Sequence, residues 1–561
     1  MLQEINFKLP SSTDPAYITK RGLEILNDPW LNKGTSFSEE EREALGLRGL
    51  LPPYRADMGE QVQRVMENYW HHTDPLDKYT FLIGLADRNI TLFYRVLMEH
   101  LLEMTPIMYT PTVGYACQQF GHIYRKNRGM YINLNHKGSI AEVLDNWPKD
   151  EVDIIVISDG SRILGLGDLG ANGMGIPIGK LVLYVAGAGL HPSRTLPILL
   201  DVGTDNEELL NDPLYLGLTR RRVHGEEFDE IVDEFVQAAT TRWPNVLIQW
   251  EDFTNDKAFP ILNRYRDKVL CFNDDIQGTG AVALAGLLAA MRIRSEHLSD
   301  QRIVFCGAGS AAVGIADMIC AGIADEHSMS TEEARKLVWM CDSRGLVTDT
   351  RDSGVEEHKV PYARDEAPAA ELLEVVKRVK PTILIGASGH AHTFTEDVVK
   401  AMHQHCEQPI IFALSNPTTK AECTAEEAYT WTGGNAVFAS GSPFSAVRYN
   451  GKVFVPGQGN NMFIFPGVGL GAVVCGAEKV TDEMFFAAAK TLAHMVTEEE
   501  LRSGTIYPDL LKIRQISLAI AAAVCRLAWD QGLAQYAEPP DIRQYVRECM
   551  YHPEYRPYIA A

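Results

Sequence analysis

A series of short apolar runs, at 154–157, 302–306, 337–341, 382–385 and 410–414, constrains this chain more than any other feature. Each is followed at once by Gly, Asp or Ser. Runs without polar alternation suit strands buried on both faces, the condition of a parallel sheet covered by helices. Helical periodicity appears at 281–294 and returns at 481–496 and 510–529. The first stretch reads differently, because 77–102 sets Phe81, Leu82, Ile83, Leu92, Phe93, Val96, Leu97 and Leu101 at helical spacing. A chain of 561 residues is too long for one core and implies several domains. In open parallel sheets ligands gather at the carboxyl ends of strands, so the residues closing each run are where function is expected.

Charge narrows the partners. Lys and Arg number 52 against 74 Asp and Glu, a net charge of −22, which argues against nucleic acid and against an anionic membrane. No apolar run reaches spanning length without Gly or charge, and the start, Met1 to Asn6, lacks a basic, apolar leader. Ten cysteines stand singly, as reduced thiols of a cytoplasmic chain do.

Two acid pairs stand beside apolar residues, in Trp250-Glu251-Asp252-Phe253 and in Phe272-Asn273-Asp274-Asp275-Ile276. Paired carboxylates repel unless a proton or cation lies between them. Oxygen donors suit a hard cation, Mg²⁺ or Mn²⁺, while the plainer alternative is solvated loop acids.

Two glycine strings compete for a dinucleotide. Ile303-Val304-Phe305-Cys306 runs into Gly307-Ala308-Gly309-Ser310-Ala311-Ala312, a strand, a G-x-G-x-x-A turn and a helix start. Such a turn brings backbone N–H groups and the positive helix end to a pyrophosphate. The next run ends at Asp342, an acceptor for the ribose hydroxyls of NAD, with 325–334 as an insertion that lengthens the spacing. Gly165-Leu166-Gly167-Asp168-Leu169-Gly170 also fits the pattern, but Asp168 would sit among phosphates. It reads better as a turn lining a substrate cleft.

Set beside Met108-Tyr109-Thr110-Pro111-Thr112-Val113-Gly114, Ser161-Arg162-Ile163-Leu164, Gly175-Ile176-Pro177-Ile178-Gly179-Lys180, Ser415-Asn416-Pro417-Thr418 and Gly459-Asn460-Asn461, these motifs resemble the malic enzymes, specifically the bacterial NAD-linked type. The resemblance runs from about residue 79 to 529. It implies oxidation of L-malate with NAD and decarboxylation to pyruvate and CO₂, with oxaloacetate decarboxylation alongside. It implies metal ligands at Glu251, Asp252 and Asp275, a general base at Lys180 oriented by Asp274, and a general acid at Tyr109. Substrate contacts fall on Arg162, Asn416 and Asn461. Cofactor contacts fall on Arg162, Asp275, Gly307, Gly309, Ser310, Ala311, Ala312, Asp342, Asn416 and Asn460. A homotetramer, a dimer of dimers, is the implied assembly.

Lys180 reads as the opening of a helix, where a solvated lysine would meet the positive dipole end, so exclusion from solvent beside an acid makes better sense. Arg344, His358 and Lys359 lie close enough to Asp342 in sequence to meet a 2′-phosphate instead of a diol. His136, His224, His390 and His392 show no ligand spacing and are taken as ordinary polar residues.

The expected architecture is α/β: a Rossmann-type NAD domain at 275–460 and an α/β substrate domain at 128–274 completed by 461–533. A helical N-terminal domain covers 1–127. A C-terminal arm at 534–561 carries Tyr545, Tyr551, Tyr555 and Tyr558, and a frayed end is the alternative. The rival functions are a malolactic enzyme, releasing lactate, and a dinucleotide-binding regulatory protein without catalysis.

Overall fold

The computed structural model describes residues 14–351 and 354–561. The chain start read above therefore lies outside the described residues. The chain forms two compact units. The first comprises the chain up to Thr254 with Val473–Ala477 and Ala534–Ala561, the second Asn255–Ala472 with Glu478–Leu533.

Helices open the first unit because cap residues punctuate its amphipathic stretches. α1 (Met58–His71) begins at Asp57, whose carboxylate accepts from Glu60 N while the Glu60 side chain accepts from Asp57 N, a reciprocal capping box. α2 (Pro75–Ala86) starts on Asp74 with proline in its first turn. Asn89 caps α3 (Ile90–Glu99), so the single stretch expected at 77–102 divides at Asp87-Arg88-Asn89. α4 (Leu101–Met108) and α5 (Thr112–Gln118) follow. Four parallel strands, β1 (Met130–Asn133), β2 (Ile154–Ser158), β3 (Thr195–Asp201) and β4 (Leu247–Trp250), pair in the order β1-β3-β2-β4. Every residue of β2 and β4 is buried, the reason those segments lack alternation. α6 (Gly175–Leu183) covers β2 and β3, and α7 (Glu226–Arg242) links β3 to β4 in sequence.

The C-terminal arm lies on its own unit. Tyr558–Ala560 pairs in parallel with Ala16–Ile18. Tyr551 N donates to Gly189 O at 2.6 Å. The Tyr555 hydroxyl donates to Gln61 Oε1 and accepts from Asn89 Nδ2, both at 2.7 Å. Lys33 Nζ sits 3.7 Å over the Tyr558 ring and pairs with Glu41 at 2.5 Å.

In the second unit β5 (Cys271–Asn273) leads through the tight turn Asp274–Gly278 into α8 (Thr279–Arg294). Seven strands then form one sheet: β6 (Ile303–Cys306), β7 (Val338–Asp342), β8 (Gly345–Leu346), β9 (Ile383–Gly386), β10 (Ile410–Ala413), β11 (Val437–Ser440) and β12 (Gly457–Gln458). Their order is β12-β11-β10-β9-β6-β7-β8. All pairings are parallel except β7 with β8. β6 thus lies between its successor β7 and the later β9, the reversal of strand order that opens a crevice in doubly wound sheets. α9 (Ser310–His327) follows β6, and the extra length before β7 is the end of α9 plus the short helix Thr331–Arg335.

α8 packs against α9 and α10 (Asp482–Met495), and α10 against α11 (Ile513–Asp530). The second unit takes in 255–274, 461–472 and 478–533 together with the seven-stranded sheet, residues the sequence had assigned to the substrate domain. The segment Asp274–Arg294 is apolar and long enough to cross a membrane, and 72% of its most apolar window is buried inside the protein. All ten cysteines are free thiols.

Tyr555→Phe should leave Gln61 and Asn89 short of a partner and lower the unfolding free energy of the first unit by about 1–3 kcal/mol. Urea denaturation checks this, and an unchanged midpoint would mean the arm contributes nothing there.

Candidate active site

In the first unit charged side chains are sealed at the carboxyl ends of buried strands. β4 delivers Trp250, whose ring packs edge-on against Phe235 and Phe253 at 6.4 and 5.8 Å. The next residues are therefore fixed at the sheet's edge. Glu251 is 2% exposed, its N donates to Ile157 O at 3.0 Å, and its Oε2 accepts from Gln249 Nε2 at 2.7 Å. Gln249 is itself held by the Tyr184 hydroxyl at 2.5 Å. Asp252 is buried with φ 55°, a left-handed conformation that costs a non-glycine residue of order 1 kcal/mol or more.

Lys180 Nζ lies 3.0 Å from Glu251 Oε1, and the lysine is 1% exposed. The sequence placed Lys180 at a helix start. Instead α6 begins at Gly175, with Pro177 in its first turn, and carries Lys180 in its last turn. Lys180 therefore does not meet the positive end of α6, and its burial beside an acid rests on the ion pair. Tyr109 follows α4, is buried, and presents its ring 5.5 Å from Lys180 Nζ. Gly179 permits this approach: a Cβ there would stand 3.2 Å from Tyr109 Cδ2 and 3.0 Å from Met108 O. Arg162, on the loop after β2, is exposed, and its N donates to Asp252 O at 3.2 Å. Lys180, Glu251, Asp252, Tyr109 and Arg162 are thus gathered within one unit.

The second unit supplies its own set. Asp274 is fully buried, and its Oδ2 accepts from Asn461 Nδ2 at 3.1 Å. The same Asn461 amide reaches Thr279 Oγ1 at 3.0 Å. Gly278 has no alternative, since a Cβ would fall 1.8 Å from Asp274 Oδ1. Asp275 is half-buried beside it. Asn460 Oδ1 caps the turn Asn461–Phe463 by accepting from Met462 N at 2.9 Å. Asn416 is exposed after β10, and its Oδ1 accepts from Ser442 Oγ at 2.5 Å.

The glycine turn sits at the strand-order reversal. Gly307 has φ 116°, and a Cβ would lie 2.5 Å from Ala387 O, just past β9. Gly309 has open space around a would-be Cβ, and Ser310, Ala311 and Ala312 open α9. β7 ends at Asp342, which the sequence read as a ribose acceptor. Its carboxylate is already engaged: Arg351 donates to it at 2.8 and 3.0 Å, Lys359 at 3.1 Å, and Arg344 N at 2.9 Å. Burial alone would raise this carboxyl, but those donors hold it well below the usual carboxylate range. Glu356 adds pairs to Arg344 and Lys359. Among the described residues three cations here face two carboxylates, a balance suited to an anionic group.

Sequence reasoning missed Arg351, which follows β7 by nine positions with no motif to mark it. It also missed Glu422. That carboxylate is fully buried and accepts from Ser388 N, Ser388 Oγ and Ser415 Oγ at 3.1, 3.2 and 2.5 Å, tying the loops after β9 and β10 beside Asn416. Burial of a lone acid leaves no periodic signal.

Residues 86–266 match the family model "Malic enzyme, N-terminal domain" and 276–529 match "Malic enzyme, NAD binding domain". A Dictyostelium discoideum protein named NADP-dependent malic enzyme is 53% identical over 95% of this chain and 98% of its own length. One of the same name from Phaseolus vulgaris is 50% identical over 96% and 92%. A solved Entamoeba histolytica malic enzyme, 22% identical with a TM-score of 0.57, covers 91% of this chain and 90% of its own, and shares the fold. The bacterial NAD-linked subtype expected from the sequence finds no support in these relatives.

Gly307→Ala should cost about 2–4 kcal/mol of stability, from a strained φ and overpacking together, and should weaken dinucleotide binding. Denaturant titration and fluorescence titration with the dinucleotide read both, and wild-type values would show that the turn tolerates a side chain.

Proposed function

The chain belongs to the malic enzyme family, and from that membership we propose that it oxidises L-malate and decarboxylates the product to pyruvate and CO₂ with reduction of NADP. The observation that carries the reading is the sealed Lys180–Glu251 pair with Tyr109 against it. A lysine excluded from water and held at a strand end is placed to take a proton, not to dissolve the protein surface. In its neutral amine form Lys180 Nζ accepts the 2-hydroxyl proton as hydride leaves C2 for the nicotinamide, and the ammonium so formed is the state that pairs with Glu251. Asp274, held by Asn461, takes from family membership the role of the acid that orients the base. After CO₂ departs, the Tyr109 hydroxyl delivers a proton to C3. Arg162 binds a substrate carboxylate through its planar fork, and Asn416 steadies the reacting ends of substrate and cofactor. Oxaloacetate decarboxylation uses the same protonation.

Glu251, Asp252 and Asp275 are a donor set that could hold a metal ion, and three carboxylate oxygens fit Mg²⁺ or Mn²⁺. When bound, such a cation supplies Lewis-acid stabilisation of the negative charge that develops on the substrate oxygen.

NADP is preferred here to the NAD expected from Asp342, for two reasons. The relatives at about half identity are named NADP-dependent, and Asp342 is occupied by Arg351 and Lys359. A carboxylate neutralised in this way accepts a ribose diol poorly, while the surrounding cations attract a 2′-phosphate. The proposed working state is a cytoplasmic homotetramer, a reading that rests on family membership alone and that light scattering tests.

Initial rates with each dinucleotide, with and without Mn²⁺, following pyruvate and lactate together, test the reading. Metal-dependent NADPH with equal pyruvate is expected. Lactate without reduced dinucleotide would make the protein a malolactic enzyme, and no turnover would make it a non-catalytic dinucleotide binder. Lys180→Ala should abolish malate oxidation while NADP still binds, and near-normal oxidation would remove Lys180 as the base. Arg351→Ala and Lys359→Ala should each lower the preference for NADP over NAD about tenfold, the effect of losing one charged contact. An unchanged preference would put selectivity elsewhere.

A further inference from the structure

The second glycine string, 165–170, remains without a role in the chemistry above, yet it is built around a buried charge. The chain leaves β2 at Asp159 and returns at Gly170, and the two ends of the intervening loop touch. Leu169 N donates to Gly160 O at 2.9 Å. Gly160 has φ 68°, and a Cβ there would lie 2.0 Å from Gly170 O. Within the loop Ile163 N donates to Gly167 O at 2.8 Å. Arg162 projects from this closed loop.

Beneath the neck lies Arg222, with 3% of its side chain exposed. Nη1 donates to Asp159 O at 3.0 Å and to Asp159 Oδ2 at 3.1 Å. Nε and Nη2 take the two oxygens of Asp168 at 3.1 and 2.6 Å, a fork on a carboxylate. The clamped acids each grip the loop in turn. Asp159 Oδ1 accepts from Ser161 N and Ser161 Oγ at 3.0 and 2.5 Å. Asp168 Oδ1 accepts from Gly170 N at 2.9 Å, and its Oδ2 from Asp205 N at 2.8 Å. Ser161 Oγ accepts from Thr254 N at 3.0 Å, and Arg162 N reaches Asp252 O. One guanidinium therefore holds both ends of the loop that carries Arg162, and registers it against the segment after β4.

We propose that Arg222 is a positioning residue: by clamping Asp159 and Asp168 it closes the 160–170 loop and sets Arg162 for a substrate carboxylate. This rests on the reading of Arg162 given above. A surface pair would add little to positioning, because exposed partners are mobile and screened. Here every partner lies in one unit and the cation is desolvated, so the geometry has no low-cost alternative. Lysine cannot replace the fork, because its ammonium meets one carboxylate at a time.

The test uses full-length protein with Arg222→Lys, Arg222→Gln and Asp168→Asn. Malate kinetics are measured at saturating NADP and Mn²⁺, with calorimetric binding of oxalate in the presence of Mn²⁺ and fluorescence titration of NADP. Malate KM and the oxalate dissociation constant should rise about tenfold or more, as small misplacements of a positioning group do. NADP affinity should change less than oxalate affinity, since Arg162 is one cofactor contact among several, and kcat should fall far less than kcat/KM. Arg222→Lys should be milder than Arg222→Gln, and if the latter fails to fold the other two variants decide. Wild-type malate KM and oxalate affinity in folded variants, with only lowered stability, would overturn the proposal and leave the clamp structural. A wild-type protein that binds oxalate but does not turn over malate would overturn the catalytic reading alone. Oxalate affinity in the variants would still decide the clamp.

Discussion

An ammonium group removed from water must be met by a carboxylate at bonding distance, and the Lys180–Glu251 pair is the contact on which the first unit's site depends. Its cost explains its surroundings. Moving one such ion out of water costs several kcal/mol, and deleting a single partner of a buried pair costs roughly 3–5 kcal/mol. The fold therefore surrounds it with groups already committed elsewhere. Gln249 bridges Glu251 to Tyr184, and aromatic packing around Trp250 fixes the strand that presents the acid. Precision in the reacting groups is a consequence of that rigidity.

The dinucleotide side follows a different logic, in which backbone carries the shape and side chains set the charge. Gly307 lets β6 and the start of the loop after β9 approach more closely than any side chain would allow. Nothing about the turn distinguishes NAD from NADP. In the proposed function that choice falls to the end of β7, where an acid that alone would favour a diol is wrapped by Arg351 and Lys359. One carboxylate can thus organise cations for a phosphate, and its presence in a sequence does not specify which ligand it serves.

Much of the fold was legible because burial on both faces leaves a signature. The runs that became β2, β6, β7, β9 and β10 were each read within a residue or so of their ends. The helical start was legible for the same kind of reason, through spacing, although Asn89 divided one expected helix into two. Domain boundaries were harder. The helices 482–495 and 513–530 follow the seven-stranded sheet in sequence, the first packing against α8 and the second against the first, and amphipathicity does not name the surface that will cover it. Lys180 was picked from its motif, but its place in α6 was misread, because Gly175-Ile176-Pro177 resembles a loop more than a first turn. Arg351, Glu422 and Arg222 carried no local pattern at all.

The two glycine strings make the same point in reverse. Both match G-x-G-x-x-small, yet only one follows a strand into a long helix at a reversal of strand order. The other folds back on itself, with Asp168 turned onto Arg222 and not toward any phosphate. Gly307 in the first string removes a Cβ that would collide with Ala387 O, and Gly170 in the second removes one that would collide with the Tyr215 hydroxyl. What separates a ligand cradle from a loop neck is therefore the charge set against it. A helix start stands at the first, while an internal arginine already satisfies the acids of the second.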